Sequence, residues 1–249
     1  MSVKPSIRQS GIISSLQRMK HIGIVDITTV GACLCANEIV AQAAKIDPTG
    51  KHPEFTMHAF SFDQYNDFIS RKDWISLANK ICDSIRLLEK IGADFVIIPS
   101  NAPHFSIDLI EKNSPLKVVN LIKIVADECH RKGFSKVLVL GIKLTMQGGL
   151  YNEVLQSKKI TPIIPTDDVC DKIEHLIRNE IILSQINSTT VEDIQQDIKK
   201  YDCDAVILGC TELPVVYNEK NLGKPVIDTT RLLAHYALHL AIDDNLSPK

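Results

Sequence analysis

The chain has 249 residues, 45% of them hydrophobic and 23% charged, with a formal charge of −2. Those values suit a globular protein with a sizeable core, and they argue against disorder, collagen-like repeats and a coiled coil. No apolar run reaches the roughly 18 residues of a membrane span, and no global positive field draws nucleic acid or an anionic membrane.

Residues 1–19 read as a polar extension without a secretory signal, since Gly11 to Leu16 is too short and polar for its apolar region. His21 to Val25 is a short apolar strand, followed by a turn and a helix-compatible stretch to about Lys45. Pro53 to Phe62 reads as a strand. Trp74, Leu77, Ala78, Ile81, Ile85 and Leu88 recur at helical spacing, and Gly92 stops that helix. Strands are expected at Phe95–Ile98 and Leu116–Val119, a helix at 121–132 closed by Gly133, and a strand at Lys136–Leu140. Met146–Leu155 reads as one helix, Ile160–Ile164 as a strand, and 168–185 and 190–200 as helices. Strands at Asp204–Leu208 and Pro225–Ile227 follow, then a last helix capped by Asp228 with Thr229 and Thr230 in its first turn.

Strand and helix thus alternate, and the strands are continuous Val/Ile runs rather than alternating ones. Such strands are covered on both faces, which predicts an α/β fold with parallel sheets flanked by helices. The chain also resembles itself. Asp94-Phe95-Val96-Ile97-Ile98-Pro99-Ser100 parallels Asp204-Ala205-Val206-Ile207-Leu208-Gly209-Cys210, and His21–Val25 parallels Lys136–Leu140. Offsets of similar size predict two related α/β subdomains with a cleft between them. The expected division is residues 20–118 with 226–249 in the first and 119–225 in the second.

Cysteines stand at 33, 35, 82, 129, 170, 203 and 210. An odd count without a C-x-x-C pair fits reduced thiols in a cytoplasm and gives no metal-ligand spacing. Ligands of parallel sheets bind beyond the carboxyl ends of strands. That makes Asp26–Val30, Ser100–His104, Gly141–Thr145 and Gly209–Glu212 the segments to inspect, and if an approximate two-fold axis relates the halves, Ser100 and Cys210 face one another across a cleft.

Gly209-Cys210-Thr211-Glu212-Leu213-Pro214 resembles the signature of the cofactor-independent aspartate/glutamate racemase superfamily. Ser100-Asn101-Ala102-Pro103-His104 stands where that family carries Cys-Asn-Thr-x-His. Gly141-Ile142-Lys143-Leu144-Thr145-Met146 with Leu150-Tyr151, and Pro165-Thr166-Asp167-Asp168 with Lys172-Ile173, resemble two further family segments. The resemblance spans about residues 20–240. It implies an active site between two similar domains, often in a homodimer, and chemistry without pyridoxal phosphate or metal, in which two thiols flank the Cα of an amino acid or dicarboxylate substrate. It implies Cys210 as one catalytic residue and Ser100 in the place of the other. It further implies Asn101, Thr145 and Thr211 as contacts of the amino and carboxylate groups, and Lys172 as the contact of a side-chain carboxylate; Thr28 and Ala102 complete the expected substrate-binding set.

Three departures from the pattern matter. A serine hydroxyl is a far weaker acid than a thiol and needs an adjacent base to supply a comparable anion. Ala102 lacks a hydroxyl, and Asp26 brings negative charge toward a site expected to take acidic ligands. The leading reading is therefore an aspartate/glutamate-type racemase. A decarboxylase or other isomerase of the superfamily that keeps one cysteine stays open beside it, as does a catalytically impaired amino-acid-binding protein. Lysines at 117, 123, 132 and 136 are dispersed and give no nucleic-acid module.

Overall fold

The computed structural model describes residues 18–242, so the expected extension at 1–19 lies, apart from Arg18 and Met19, outside the described residues. The first half runs β1 (Ile22–Asp26), α1 (Thr29–Ile46), β2 (Phe55–Ala59), α2 (Phe62–Ser70), α3 (Trp74–Lys90), β3 (Phe95–Ile97), a 3₁₀ turn (Ala102–Ser106), α4 (Ile107–Asn113) and β4 (Lys117–Val118). The second runs α5 (Leu121–Arg131), β5 (Lys136–Leu140), α6 (Lys143–Gln147), α7 (Asn152–Ser157), β6 (Thr161–Ile163), α8 (Asp167–His175) with a π turn (Leu176–Ile181), α9 (Ser188–Lys199) and β7 (Ala205–Leu208). A 3₁₀ turn (Leu213–Val215), α10 (Glu219–Leu222), β8 (Val226–Asp228) and α11 (Thr229–Ile242) complete it.

The strands form two four-stranded parallel sheets, ordered β2-β1-β3-β4 and β6-β5-β7-β8. The expected parallel sheets and repeat are therefore present, each half having the same strand order. Side chains alternate between two buried faces. Ile22, Ile24, Phe95, Ile97, Val137, Val139, Ala205 and Ile207 point into one interior shared with α1, α5 and α11. Val25, Val96 and Ile98 pack outward against α3, and Leu138, Leu140, Val206 and Leu208 against α8 and α9. Three helices thus lie between two sheets, and each fully buried Ile or Leu contributes about 1.5–3 kcal/mol over its exposed state.

One acidic residue per half sets the start of the paired strands. Asp94 accepts the His21 N–H at 2.6 Å and its own N–H reaches the His21 carbonyl at 2.8 Å. Asp204 accepts the Ser135 and Lys136 N–H groups at 2.6 and 2.9 Å, and its N–H reaches the Lys136 carbonyl at 2.8 Å. Those backbone donors hold the Asp204 carboxyl below the usual range.

Four expectations need correction. Phe62 does not end a strand but opens α2, since β2 stops at Ala59. The single helix over 146–155 is two, α6 and α7, because Gly149 adopts φ +78 between them. The helix over 168–185 changes at Leu176 into a π turn. Val226–Asp228, placed with the first domain, pairs with β7 of the second sheet; only α11 beyond it packs back on α1.

Candidate active site

The carboxyl ends of β1, β3, β5 and β7 converge on one cavity of about 100 Å³ between the halves. In each sheet the chain leaves the central strand pair in opposite directions, the arrangement that opens a crevice for ligands. Thr28, Ser100, Asn101, Ala102, Thr145, Cys210 and Thr211 all line this cavity. Lys172 does not: its ammonium bonds Asp168 at 2.8 Å and Asp197 at 3.0 Å on the outer surface. Helical spacing explains that, because Asp168 stands four residues before it.

Cys210 follows β7 across Gly209, where a side chain has no room: a Cβ there would lie 2.8 Å from the Leu140 carbonyl. The Cys210 thiol donates to Glu212 Oε2 at 2.8 Å, and the Thr211 hydroxyl donates to the same oxygen at 2.8 Å. Part of the Cys210 surface is open to the cavity. Burial of its sulfur and, next, the Glu212 charge raise the thiol pKa well above the ordinary value. The resting group is a protonated thiol that donates to a carboxylate. Glu212 thus lines the cavity and accepts from both of the residues before it.

Ser100 sits at the same register after β3 in the other half. Its hydroxyl makes no hydrogen bond among the described residues, while its carbonyl accepts from His104 Nδ1 at 2.9 Å. His104 Nε2 in turn accepts the Leu121 N–H at 3.2 Å, which fixes the neutral tautomer with the proton on Nδ1. Burial pushes the His104 pKa down to about 4. This histidine therefore holds the Ser100 loop and serves no base function toward the hydroxyl.

Asn101 ties that loop to the second half. Its amide donates to Thr229 Oγ1 at 3.2 Å and its carbonyl oxygen accepts from the buried Tyr151 hydroxyl. Thr229 passes the connection to the Leu208 carbonyl at 2.9 Å. Across the same seam Gly31 of α1 meets Thr211 so closely that a Cβ would lie 2.6 Å from it. Thr145 is only 2% exposed, and its hydroxyl has no hydrogen-bond partner among the described residues. A buried unpaired hydroxyl is costly, and at a cavity wall it is an available ligand contact. Asp26, expected to put charge on the site, does not line the cavity. It lies buried at the end of β1, accepts from the Thr29 hydroxyl at 3.0 Å, and burial raises its pKa.

The remaining walls were not foreseen. Phe62, Asn66 and Ile69 come from α2, and Ile177, Arg178 and Ile182 from the π turn and its end. Ser61 followed by Gln64 has capping-box spacing and marks the start of α2 in the sequence. Among the described residues no group of His, Cys, Asp and Glu is arranged to hold a metal, and no helix is long and apolar enough to cross a membrane.

The family model described as Asp/Glu/Hydantoin racemase matches residues 22–237. A broad-specificity amino-acid racemase of Bacillus subtilis is 24% identical over 164 residues, 65% of this chain and 71% of that protein. A glutamate racemase of Lysinibacillus sphaericus is 27% identical over 137 residues, covering 54% of this chain but only 51% of its own length. Among solved structures, an aspartate racemase homologue from Pyrococcus horikoshii superposes with a TM-score of 0.79 at 26% identity, over 90% of this chain and 100% of that one. A putative Asp/Glu racemase from Yersinia pestis gives 0.83 at 23% identity with the same coverage, a likeness of fold.

Proposed function

The chain belongs to the Asp/Glu/hydantoin racemase family, and on that premise we propose that it inverts the α-carbon of a free amino acid of the aspartate/glutamate type, without pyridoxal phosphate or metal. The observation that carries the reading is the Cys210 thiol hydrogen-bonded to Glu212 at the wall of a cavity that Ser100 lines from the other half. Glu212 takes the thiol proton, and the thiolate then removes the Cα proton from one face. Charge developing on the substrate carboxylate meets the unpaired Thr145 hydroxyl and the free N–H groups at the start of α1, beside Thr28. The Ser100 hydroxyl gives its proton to the opposite face and regains one from solvent, while Cys210 and Glu212, which now hold the Cα and thiol protons, release one to solvent and return to the starting thiol and carboxylate. The relatives are racemases, hence isomerases.

A second reading is favoured by one feature, the hydroxyl of Ser100 with no base beside it. A reaction that needs one proton donor, such as protonation of an enediolate after loss of carbon dioxide, uses Cys210 alone.

The test is proton exchange at Cα, followed by NMR in deuterated water with aspartate and glutamate of either hand. Wild-type protein exchanges and racemises; Cys210→Ala does neither. Full exchange by a folded Cys210→Ala protein ends the assignment, and carbon dioxide released from substituted malonates without amino-acid exchange selects the second reading.

A further inference from the structure

A dicarboxylate needs a second anion-binding point beyond the one that holds its α-carboxylate, and Lys172 does not supply it. Among the described residues lining the cavity, Arg178 is the sole cation. It comes from neither sheet's strand-end loops but from the π turn that continues α8. There the Ile182 N–H reaches the Ile177 carbonyl at 3.1 Å. Spacing of five residues per bonded turn brings Ile177 and Ile182 onto one face, and both line the cavity. In an uninterrupted α-helix the residue stacked beyond Ile177 is Ile181, which instead packs in the core of the second half. The widened turn therefore presents Arg178 between two isoleucines.

Arg178 is also held in place. Its Nε donates to Glu174 Oε1, and Glu174 Oε2 accepts the Lys143 N–H at 2.6 Å, anchoring the pair to the start of α6. This leaves the two terminal amino groups of the guanidinium without a hydrogen bond among the described residues. A planar pair of N–H donors with one edge already fixed matches a carboxylate. Glu212, the carboxylate in the same lining, is engaged by Cys210 and Thr211. Apolar walls from Ile177, Ile182 and Ile69 suit the methylene carbons between two carboxylates.

We propose that Arg178, oriented by Glu174, is the specificity-determining residue that binds the distal carboxylate of the substrate, with Ile177 and Ile182 flanking its methylene groups. The inference rests on the amino-acid reading of this cavity, and its test uses binding rather than turnover. Isothermal titration of wild-type, Arg178→Leu and Arg178→Lys proteins is made with racemic aspartate and racemic asparagine, so that turnover leaves the ligand unchanged. Wild type favours aspartate. Arg178→Leu weakens aspartate by about tenfold or more while leaving asparagine within about twofold, and Arg178→Lys falls between, since a point charge replaces a two-pronged donor.

Equal weakening of both ligands overturns the proposal, because Arg178 then serves the α-carboxylate. An unchanged aspartate affinity in Arg178→Leu, or a wild type that does not prefer aspartate, overturns it as well. If wild type binds aspartate in this Arg178-dependent way yet exchanges no Cα proton, racemisation fails and the distal-carboxylate site stands.

Discussion

The loops after β3 and β7 occupy the same register of two halves with the same strand order, yet they are equipped for different work. Residues 110 apart correspond: Ser100 with Cys210, Asn101 with Thr211, Ala102 with Glu212. On the cysteine side a carboxylate two residues on takes the thiol hydrogen. On the serine side that place is a methyl group, and the histidine further along spends one ring nitrogen on the Ser100 carbonyl and the other on the Leu121 N–H. Frame symmetry thus does not carry chemical symmetry. The second half holds a hydrogen-bonded thiol and carboxylate, whereas the first holds an unpaired hydroxyl and, through Asn101, the bonds that join the halves.

The largest effect that sharpens this contrast is on exchange kinetics. Removing a general acid or base costs about 10²–10⁴ in rate, so Cys210→Ala falls by that amount while Ser100→Ala, lacking a base to lose, falls by far less. Equal losses break the comparison.

Next comes acid stability, which belongs to the serine side. His104 has a folded pKa of about 4 against 6.5 unfolded, so the unfolded chain binds the extra proton between those values. Its contribution is complete above pH 6.5, declines as pH falls toward 4, and amounts in full to about 3 kcal/mol. Urea unfolding from pH 7 to 4.5 should show a steeper loss for wild type than for His104→Gln, in which the other histidines titrate unchanged. Parallel curves contradict the neutral, doubly bonded histidine.

A smaller change makes the halves alike: Ser100→Cys raises racemisation by about tenfold or more, as expected of a second thiol acid/base. An unchanged rate in a folded variant counts against the two-sided picture. The smallest is a titration. Glu212→Gln keeps an acceptor for Cys210 but removes the negative charge that helps raise its pKa, so the pH midpoint of thiol alkylation by iodoacetamide moves down. A midpoint that stays or rises shows that Glu212 does not act on the sulfur.

The residues at the ends of the central strands were legible because continuous Val/Ile runs mark buried parallel strands, and the positions just beyond them are fixed by topology. Ser100, Thr145 and Cys210 are of that kind. Lys172 was misread because a motif neighbour on a helix says nothing of which way its side chain turns, and Asp168 and Asp197 settled that locally. Arg178 and Ile182 escaped because a pattern of period 3.6 does not register a five-residue turn, which tertiary packing sets. Phe62 escaped because the aromatic residues from Phe55 to Phe62 read as one β-rich run across the bend after Ala59.

The Asn101 junction bears on how a small molecule gets in and out. Parting the sheets breaks the Asn101 links to Tyr151 and Thr229 together and draws Gly31 off Thr211. Swinging aside the half-exposed Phe62 and Ile182 side chains breaks no hydrogen bond at all. A ligand that displaces only those two cavity-lining side chains leaves the Asn101 junction intact.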